Sequence, residues 1–513
     1  MREWKVNVTR TLQFPPLRPG CCRHSLRGFA STMKQSSLFC RAAAVLAAAL
    51  ALIVTTGSLL AGAPAAPVSE SSAEARSESW LSEWWNGKYM TGNWFGLRDT
   101  LEDYGFKFAG KYEGIFFGIV DSQRGSRGVY DQELAFAGDL DFAKLTKVEA
   151  LEGLSAFGEV RWRDSRANSN PNTFVLANSL FQPSNNQSGT QWRLLTFGLA
   201  YTTPELFGIK EFITLHGGWL RPQKEFIDQP LSKLFINNAI ESAKGLGGNI
   251  QFSSSFSTWG GTLNIKPVDW YYLKTGLFMA YPQATSSENH GLAFEGFAQD
   301  PSQNGLFFMG ETGVTPKIGP SKLPGKYVFG GFYYGGFMNS FNGTPNYGQW
   351  GLYWQFDQML FREPSPEVPA PPVAGPSSGK SFKEPVAPVS KPKLSKQGLY
   401  SFNLISYAPA YNNLFPFYFQ SGLVYEGLIP SRDKDKLMFA IAYGAYSVFN
   451  IHSLQDQGNV NQPNYSIVLE WDYRIQLNEW AYFQPFVQYI IKPNGTEAVK
   501  NATILGFAYA VTF

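Results

Sequence analysis

The chain has 513 residues, of which 44% are hydrophobic, 16% are aromatic and only 16% are charged. This composition excludes a disordered chain, which would be poor in aromatic residues and rich in charge. The formal charge of +3 owes its sign to the first 65 residues, which hold eight of the 43 basic residues and one of the 40 acidic residues. The remainder has 35 basic and 39 acidic residues and a net charge of −4, which gives no electrostatic reason to bind nucleic acid.

Residues 1–65 have the features of a secretory leader. After an internal methionine, Met33, basic residues precede an apolar stretch that ends in Ala-x-Ala cleavage patterns. The sequence therefore predicts a signal peptide that starts at Met33 and a mature chain that begins between Gly62 and Ala75. An uncleaved membrane anchor is the alternative, because the apolar stretch is just long enough to span a bilayer.

All three cysteines, Cys21, Cys22 and Cys40, lie within this leader. A mature chain without cysteine suits a protein that crosses an oxidising periplasm unfolded and must not form random disulfides. Cys40 precedes the apolar stretch instead of following it, which argues against a lipoprotein anchor.

Residues 66–105 are predicted to form an N-terminal segment with one short amphipathic helix. Apolar residues recur at helical spacing over 94–101, and Gly105 follows as a stop signal. The helix is predicted to lie at the periplasmic mouth of the structure that follows, with Arg98 reaching its wall. Three tryptophans at 80–85 fit the same mouth or a membrane interface, and both placements stay open.

Residues 106–513 alternate between apolar and polar side chains with the period of two that β-strands require. Roughly sixteen such segments begin near residues 106, 130, 153, 192, 211, 256, 270, 305, 326, 347, 398, 415, 436, 464, 480 and 502. A soluble sandwich also alternates, but here the apolar face is aromatic and the polar face is charged across its middle. That pattern predicts an all-β fold, a transmembrane antiparallel β-barrel of about 16 strands with lipid outside and water inside.

The lengths of the connections predict an orientation for this barrel. If the first strand runs outward, the long polar stretches 164–190, 221–250 and 281–304 fall on the extracellular side and the short turns on the periplasmic side. One exception is the segment 363–396, which is rich in proline, serine and lysine and is predicted to extend into the periplasm. It is either a tolerated solvated insertion or a contact with the cell wall.

Three of the predicted strands carry charged residues on the face that should line the lumen. These residues are Lys111, Glu113, Glu159, Arg161, Arg163, Glu470, Asp472 and Arg474. A register error of one residue in 153–164 would put three charges into lipid, at roughly 2–4 kcal/mol for each basic residue near the midplane. The set is predicted to line the pore constriction, unless the charges merely pair with neighbouring strands and stiffen the wall.

The last predicted strand is apolar, alternating and ends in an aromatic residue, Phe513. This pattern is the kind of signal that a barrel-assembly machinery recognises. Phe513 is therefore predicted to act as an assembly signal.

Over residues 80–513 the chain resembles the carbohydrate-selective porin family, the OprB type. The resemblance is carried by TGNWFGLRDTLEDYGFKFAGKYEG at 91–114, GQWGLYWQFDQMLFRE at 348–363, YEGLIPSRDKDKLMFAIAYG at 425–444 and the two closing strands. It implies a sixteen-stranded barrel of a Gram-negative outer membrane that passes glucose and related sugars by facilitated diffusion. The proline-rich insert departs from the family, whose members usually have a shorter turn there.

The resemblance implies that the lumen charges contact sugar, and charged and aromatic groups suit the hydroxyls and the apolar face of a sugar ring. The expected partners are sugars, membrane lipid and the barrel-assembly machinery. The sequence does not distinguish a monomer from a homo-oligomer. A general or differently selective porin and a purely structural barrel are the alternatives. An enzyme has little support, because the predicted mature chain holds three histidines and no Ser/His/acid, HExxH, GxGxxG or Walker grouping. No catalytic, cofactor-binding or metal residue is predicted.

Overall fold

The computed structural model describes residues 80–165, 170–177, 181–184, 186, 191–242, 248–249, 256–280, 290–294, 305–364 and 395–513. The leader, its three cysteines and residues 365–394 of the proline-rich insert lie outside these residues. The three long polar loops are described in part.

Within the described residues, the period-two alternation becomes a single antiparallel sheet. Its strands are β1 (Phe106–Asp121), β2 (Arg127–Asp141), β3 (Leu154–Asp164), β4 (Gln191–Thr202), β5 (Ile213–Leu220), β6 (Thr258–Val268), β7 (Tyr271–Ala280), β8 (Gly305–Val314), β9 (Lys317–Ile318), β10 (Leu323–Asn339), β11 (Pro345–Arg362), β12 (Gly398–Tyr407), β13 (Phe417–Glu426), β14 (Lys436–Ala445), β15 (Tyr465–Gln476), β16 (Ala481–Ile491) and β17 (Ala502–Thr512). β9 is a two-residue ladder beside β10, so sixteen strands form the wall. Their first residues lie within three positions of every predicted start.

The sheet closes on itself because the first and last strands pair. Each wall strand is bonded to its neighbour in sequence, and β1 pairs with β17 in a register that runs from Lys111 opposite Thr512 to Ile119 opposite Ile504. Closure removes the free edges that an open sheet would expose. The predicted sixteen-stranded antiparallel barrel is confirmed. We call the end where β1 begins and β17 ends the periplasmic end, following the orientation predicted from the loops.

The two faces of the wall differ as the alternation predicts. On β1, Phe106 and Phe116 are exposed on the outer surface, and Trp471 on β15 is exposed in the same way. Between the outward residues of β1, Lys111 and Glu113 line a cavity together with side chains from other strands. Only the inner face of a barrel can bring such strands to one cavity, so this face is the lumen.

Short helices occupy the connections. They are Leu97–Asp103, Phe142–Thr146, Pro171–Val175, Pro222–Glu225, Asn238–Glu241 and Val448–Asp456, with 3-10 turns at Trp94–Gly96, Glu149–Leu151 and Ser232–Leu234. Leu97–Asp103 is the short N-terminal helix that the sequence predicts. Gly105 then turns the chain into β1 with a φ of 90°, and a Cβ there would lie 2.6 Å from the Asp141 carbonyl oxygen. Among the described helices, none is long and apolar enough to cross a bilayer.

Candidate functional site

The connection between β5 and β6 turns back into the barrel. Residues 221–242, the longest described part of this connection, are called the inner loop. Arg221 in this loop donates to Glu159 on β3 at 2.7 Å, and Gln229 donates to Asp357 on β11 at 2.9 Å. β3 and β11 are seven wall strands apart, so a loop that bonds to both must cross the lumen. The sequence alone assigned this stretch to the extracellular loops, because nothing local shows which way a polar loop folds.

The inner loop is held to the far wall by a buried carboxylate. Glu470 on β15 accepts hydrogen bonds from the backbone N–H groups of Ile236 and Asn237, at 2.7 and 2.9 Å. On β13, the Tyr418 hydroxyl donates to the Ala239 carbonyl oxygen at 2.7 Å. Buried N–H and C=O groups must be paired, so these contacts define the path of the loop.

The loop leaves a cavity of about 340 Å³ against one side of the wall. We call this cavity the eyelet. The wall residues that line it include Lys111, Glu113, Glu133, Glu159, Arg161, Arg163, Arg474 and Tyr482, and the loop residues include Lys233, Phe235, Ile236 and Glu241. Six of the eight residues predicted for the constriction therefore meet at one cavity.

An alternating set of charges forms the β2–β3 side of the eyelet. Arg161 lies between two carboxylates, 3.3 Å from Glu133 Oε2 and 2.9 Å from Glu159 Oε1. Arg163 donates to the same Glu133 oxygen at 2.6 Å. The Arg161 side chain keeps 23% of its surface exposed, whereas those of Arg163 and Glu133 keep only 9% each. Arg161 is therefore the cation of this group that a solute can reach.

Beside Glu133, β1 adds a second group of charges to the eyelet, next to an aromatic ring on β16. Lys111 Nζ lies 2.9 Å from Glu113, which also accepts a hydrogen bond from the Tyr482 hydroxyl. The Arg474 guanidinium lies 4.1 Å from the centre of the Tyr482 ring and donates to the Leu234 carbonyl oxygen of the inner loop at 3.1 Å. Arg474 thus joins wall and loop at the edge of the cavity.

Two of the predicted constriction residues lie elsewhere. Glu470 is fully buried beneath the inner loop, and Asp472 is 3% exposed and accepts a hydrogen bond from Gln484 at 2.7 Å. Both face inward, as the alternation predicts, but the loop covers them. Their contacts are those of loop and wall supports, and no solute can reach Glu470 while the loop is in place.

The prediction from sequence did not include Glu133, Tyr482 or the loop residues that line the eyelet, nor two cations of the inner loop beside it. Glu133 lies at an inward position of β2, as Glu159 does on β3, so the period-two alternation of β2 is the signal that identifies it. Arg221 and Lys224 both contact Glu159, at 2.7 and 2.8 Å. They lie in a loop without periodicity, so no local signal points to them.

Glu225, next in the inner loop, is held between two basic side chains. Its Oε2 lies 2.9 Å from His216 Nδ1 on β5 and 3.5 Å from Lys274 Nζ on β7. Burial opposes the charged form of Glu225 and by itself would raise the pKa of its carboxyl. The hydrogen bond to His216 and the charge of Lys274 outweigh burial, so this pKa lies below the usual range.

Residues 80–104, called the rim segment, follow the periplasmic rim of the barrel. Trp84 packs on Trp480 in the turn between β15 and β16, with ring centres 5.0 Å apart. Met90 N–H donates to the Thr512 carbonyl oxygen at 2.8 Å, and Trp94 lies 6.1 Å from the outward-facing Phe108. These contacts are with the rim and the outer face of the wall.

Arg98 bonds to the part of β1 that extends beyond the end of β17. β1 extends below the end of β17, because Gly110 already pairs with the terminal Phe513. Arg98 Nη1 donates to the Phe108 carbonyl oxygen at 3.0 Å, at the next ladder position, and its guanidinium lies 3.7 Å from the centre of the Tyr89 ring. Arg98 therefore pairs a backbone carbonyl of β1 one ladder position beyond its last bond to Phe513.

We expect Arg98→Ala to destabilise the barrel without changing its channel. Losing the charged donor to Phe108 and the ring contacts should cost about 1–3 kcal/mol. The measurement is the temperature at which the folded band disappears in heat-modifiability gels. Arg124→Ala, at an exposed extracellular arginine, is the matched control. Equal midpoints for the two variants would contradict the seam role of Arg98.

Among the described residues, no group of three or more His, Cys, Asp or Glu side chains is placed to hold a metal ion.

Comparisons with known proteins agree on one family. The family described as "Carbohydrate-selective porin, OprB family" matches residues 127–513. Porin B of Pseudomonas aeruginosa is 23% identical over 460 residues, covering 83% of this chain and 92% of that protein. The high-pH structure of Pseudomonas putida OprB superposes with a TM-score of 0.69 at 19% identity, covering 83% of this chain and 99% of that one.

Proposed function

This chain belongs to the carbohydrate-selective porin family, OprB type, and we propose that its eyelet is the place where the transported sugar is selected. The protein is an outer-membrane porin that passes carbohydrates and is a channel rather than an enzyme. The single observation that carries the proposal is that wall charges predicted from sequence meet the inner loop at one cavity of about 340 Å³.

The chemistry of the eyelet suits a neutral polyhydroxylated solute. Lys111 and Arg161 offer exposed donors, and Glu113 offers acceptor oxygens. Each sugar hydroxyl both donates and accepts, so a lining with both kinds of group can replace the water that the sugar sheds. Tyr482 adds an aromatic ring beside these groups. Cations and anions alternate, which limits the preference for ions of one sign.

The pairing of these charges also limits how tightly a sugar is held. Each exposed cation already has a carboxylate partner at 2.9 Å, so a sugar hydroxyl competes with an existing contact instead of meeting a bare charge. A channel needs binding that is strong enough to admit the solute and weak enough to release it. Paired charges in the eyelet are therefore suited to binding a sugar weakly enough to release it.

We expect Arg161→Ala to weaken the block of ion current by sugar by about tenfold, the effect of losing one charged hydrogen bond of roughly 1.5 kcal/mol. Selectivity among ions should shift toward cations, because Glu133 and Glu159 lose a shared counter-charge. Assembly should persist, since Arg163 still pairs with Glu133 and Arg221 with Glu159. The half-blocking concentration of glucose in planar bilayers measures the first effect, and the reversal potential measures the second.

Two further variants complete this test. Arg474→Ala should show the same direction of change, because it removes the cation above Tyr482. Arg432→Ala is the matched control, since Arg432 lies in a periplasmic turn and pairs with Asp435 at 2.9 Å. If Arg161→Ala and Arg474→Ala keep the sugar block and ion selectivity of the parent, the two arginines are wall struts and the eyelet does not select the sugar.

A further inference from the structure

A second cavity, of about 250 Å³, lies in the lumen next to the eyelet. We call it the exit cavity. Its lining includes Asp139, Phe157, Glu159, Thr196, His216 and Lys224. None of these residues except Glu159 lines the eyelet, so the two cavities are neighbours that share one carboxylate.

The direction of β3 places the exit cavity on the periplasmic side of the eyelet. β3 runs from its periplasmic end at Leu154 to its extracellular end at Asp164. Phe157 therefore lies below Glu159, and Glu159 lies below Arg161 and Arg163 of the eyelet. A solute that leaves the eyelet toward the periplasm reaches this cavity next.

One aromatic side chain of the wall, Phe157, lines the exit cavity among polar and small residues. Phe157 is half-buried, and its ring centre lies 5.7 Å from that of His216 at an angle of 53°. The tip of the ring lies against the backbone of Gly198, where a Cβ would be 3.1 Å from Phe157 Cζ. The His216 ring and the Gly198 backbone therefore hold the Phe157 side chain in position where it lines the cavity.

Polar groups around the ring offer both donors and acceptors. His216 Nδ1 is 2.9 Å from a Glu225 oxygen. Because a carboxylate only accepts, Nδ1 carries the proton, and in the neutral ring Nε2 is an acceptor. Lys224 lies 2.8 Å from Glu159 but keeps half of its side-chain surface exposed, and Asp139 is exposed to the lumen.

We propose that the exit cavity is a second sugar-binding subsite, in which a single sugar ring stacks on Phe157 and bonds to Asp139, Lys224 and His216. This inference rests on the proposed function of the eyelet, since it assumes that sugar passes there. Glu159 belongs to both cavities, so a sugar can exchange contacts between them without being fully released to water. Two adjacent weak sites favour flux over a single tight one.

The test measures glucose block of the ion current in planar bilayers, with glucose added from the periplasmic side. Phe157→Leu removes the stacking face but keeps an apolar side chain, and the half-blocking concentration should rise about three- to tenfold. Asp139→Ala, at an exposed residue that is not needed for packing, should raise it in the same direction. Phe439→Leu is the matched control, because Phe439 faces outward and packs on Trp471.

The outcomes separate the subsite from the eyelet. If the parent channel shows no glucose block, the proposed function fails. If the parent is blocked and Arg161→Ala relieves the block, but Phe157→Leu and Asp139→Ala match the Phe439→Leu control, the eyelet stands and the exit subsite is contradicted. If Phe157→Leu does not assemble, Asp139→Ala alone decides, since its half-blocking concentration must rise above that of the control.

Discussion

Replacing Glu470 by alanine should raise the single-channel conductance severalfold and speed the uptake of disaccharides relative to monosaccharides. Glu470 is the carboxylate that accepts from two consecutive backbone N–H groups of the inner loop, those of Ile236 and Asn237. Without it both N–H groups lose their acceptor in a buried site, at a cost of about 1–3 kcal/mol each. The backbone at Ile236 and Asn237 should then move away from the wall and widen the eyelet, while Arg474 and Tyr418 still bond to the loop on either side.

The rest of the loop limits how far this opening goes. Gln229 still bonds to β11, and Arg221 still bonds to Glu159 on β3. The barrel wall itself does not depend on Glu470, so the variant should assemble at parental levels. Single-channel recording and liposome swelling with a series of mono- and disaccharides measure the two expected changes.

Two further variants make the result specific. Glu470→Gln keeps one acceptor oxygen and should give an intermediate conductance. Glu426→Ala removes a carboxylate from a wall pair with Lys436, 2.8 Å away and outside the eyelet, and should leave conductance unchanged. A Glu470→Ala channel with parental conductance would show that the loop is held without this carboxylate.

Deleting Phe513 should lower the amount of assembled barrel far more than it changes the conductance of the channels that do assemble. Phe513 forms the last link between the ends of the wall: its N–H donates to the Gly110 carbonyl oxygen and its carbonyl oxygen accepts from Gly110 N–H, both at 2.8 Å. Its ring covers Gly110, which has no side chain, and lies 5.8 Å from the ring of Phe136. The deletion thus removes two seam hydrogen bonds and an aromatic contact on the outer face.

The eyelet should survive this deletion, because no atom of Phe513 lines it. Heat-modifiability gels of isolated outer membranes measure the assembled fraction, and single-channel recording measures the conductance. Phe513→Tyr is the matched control, since it keeps the backbone bonds and an aromatic ring and should assemble close to the parental level. Equal membrane levels of the deletion and the parent would mean that the terminal residue carries no assembly information.

The wall of this barrel can be predicted from the alternation of residue types alone. A residue in a transmembrane strand faces either lipid or water, so the chemical character of each side chain reports its side directly. That is why the sixteen starts lie within three positions of the observed ones, and why Arg161 and Glu470 were placed on the inner face. The short helix before β1 is predictable for the same reason, because the spacing of its apolar residues can be read within a few neighbouring positions of the sequence.

Which of the inward residues a solute can reach depends on the path of the inner loop in the folded protein. Arg161 and Glu470 have the same pattern in sequence, yet one lines the eyelet and the other lies beneath the inner loop. The loop that separates them has no periodicity, and its path depends on partners more than 200 residues away in the chain, such as Glu470 itself. Contacts at that separation form only when the barrel closes, so local sequence could name the charges of the lumen but not the ones that narrow it.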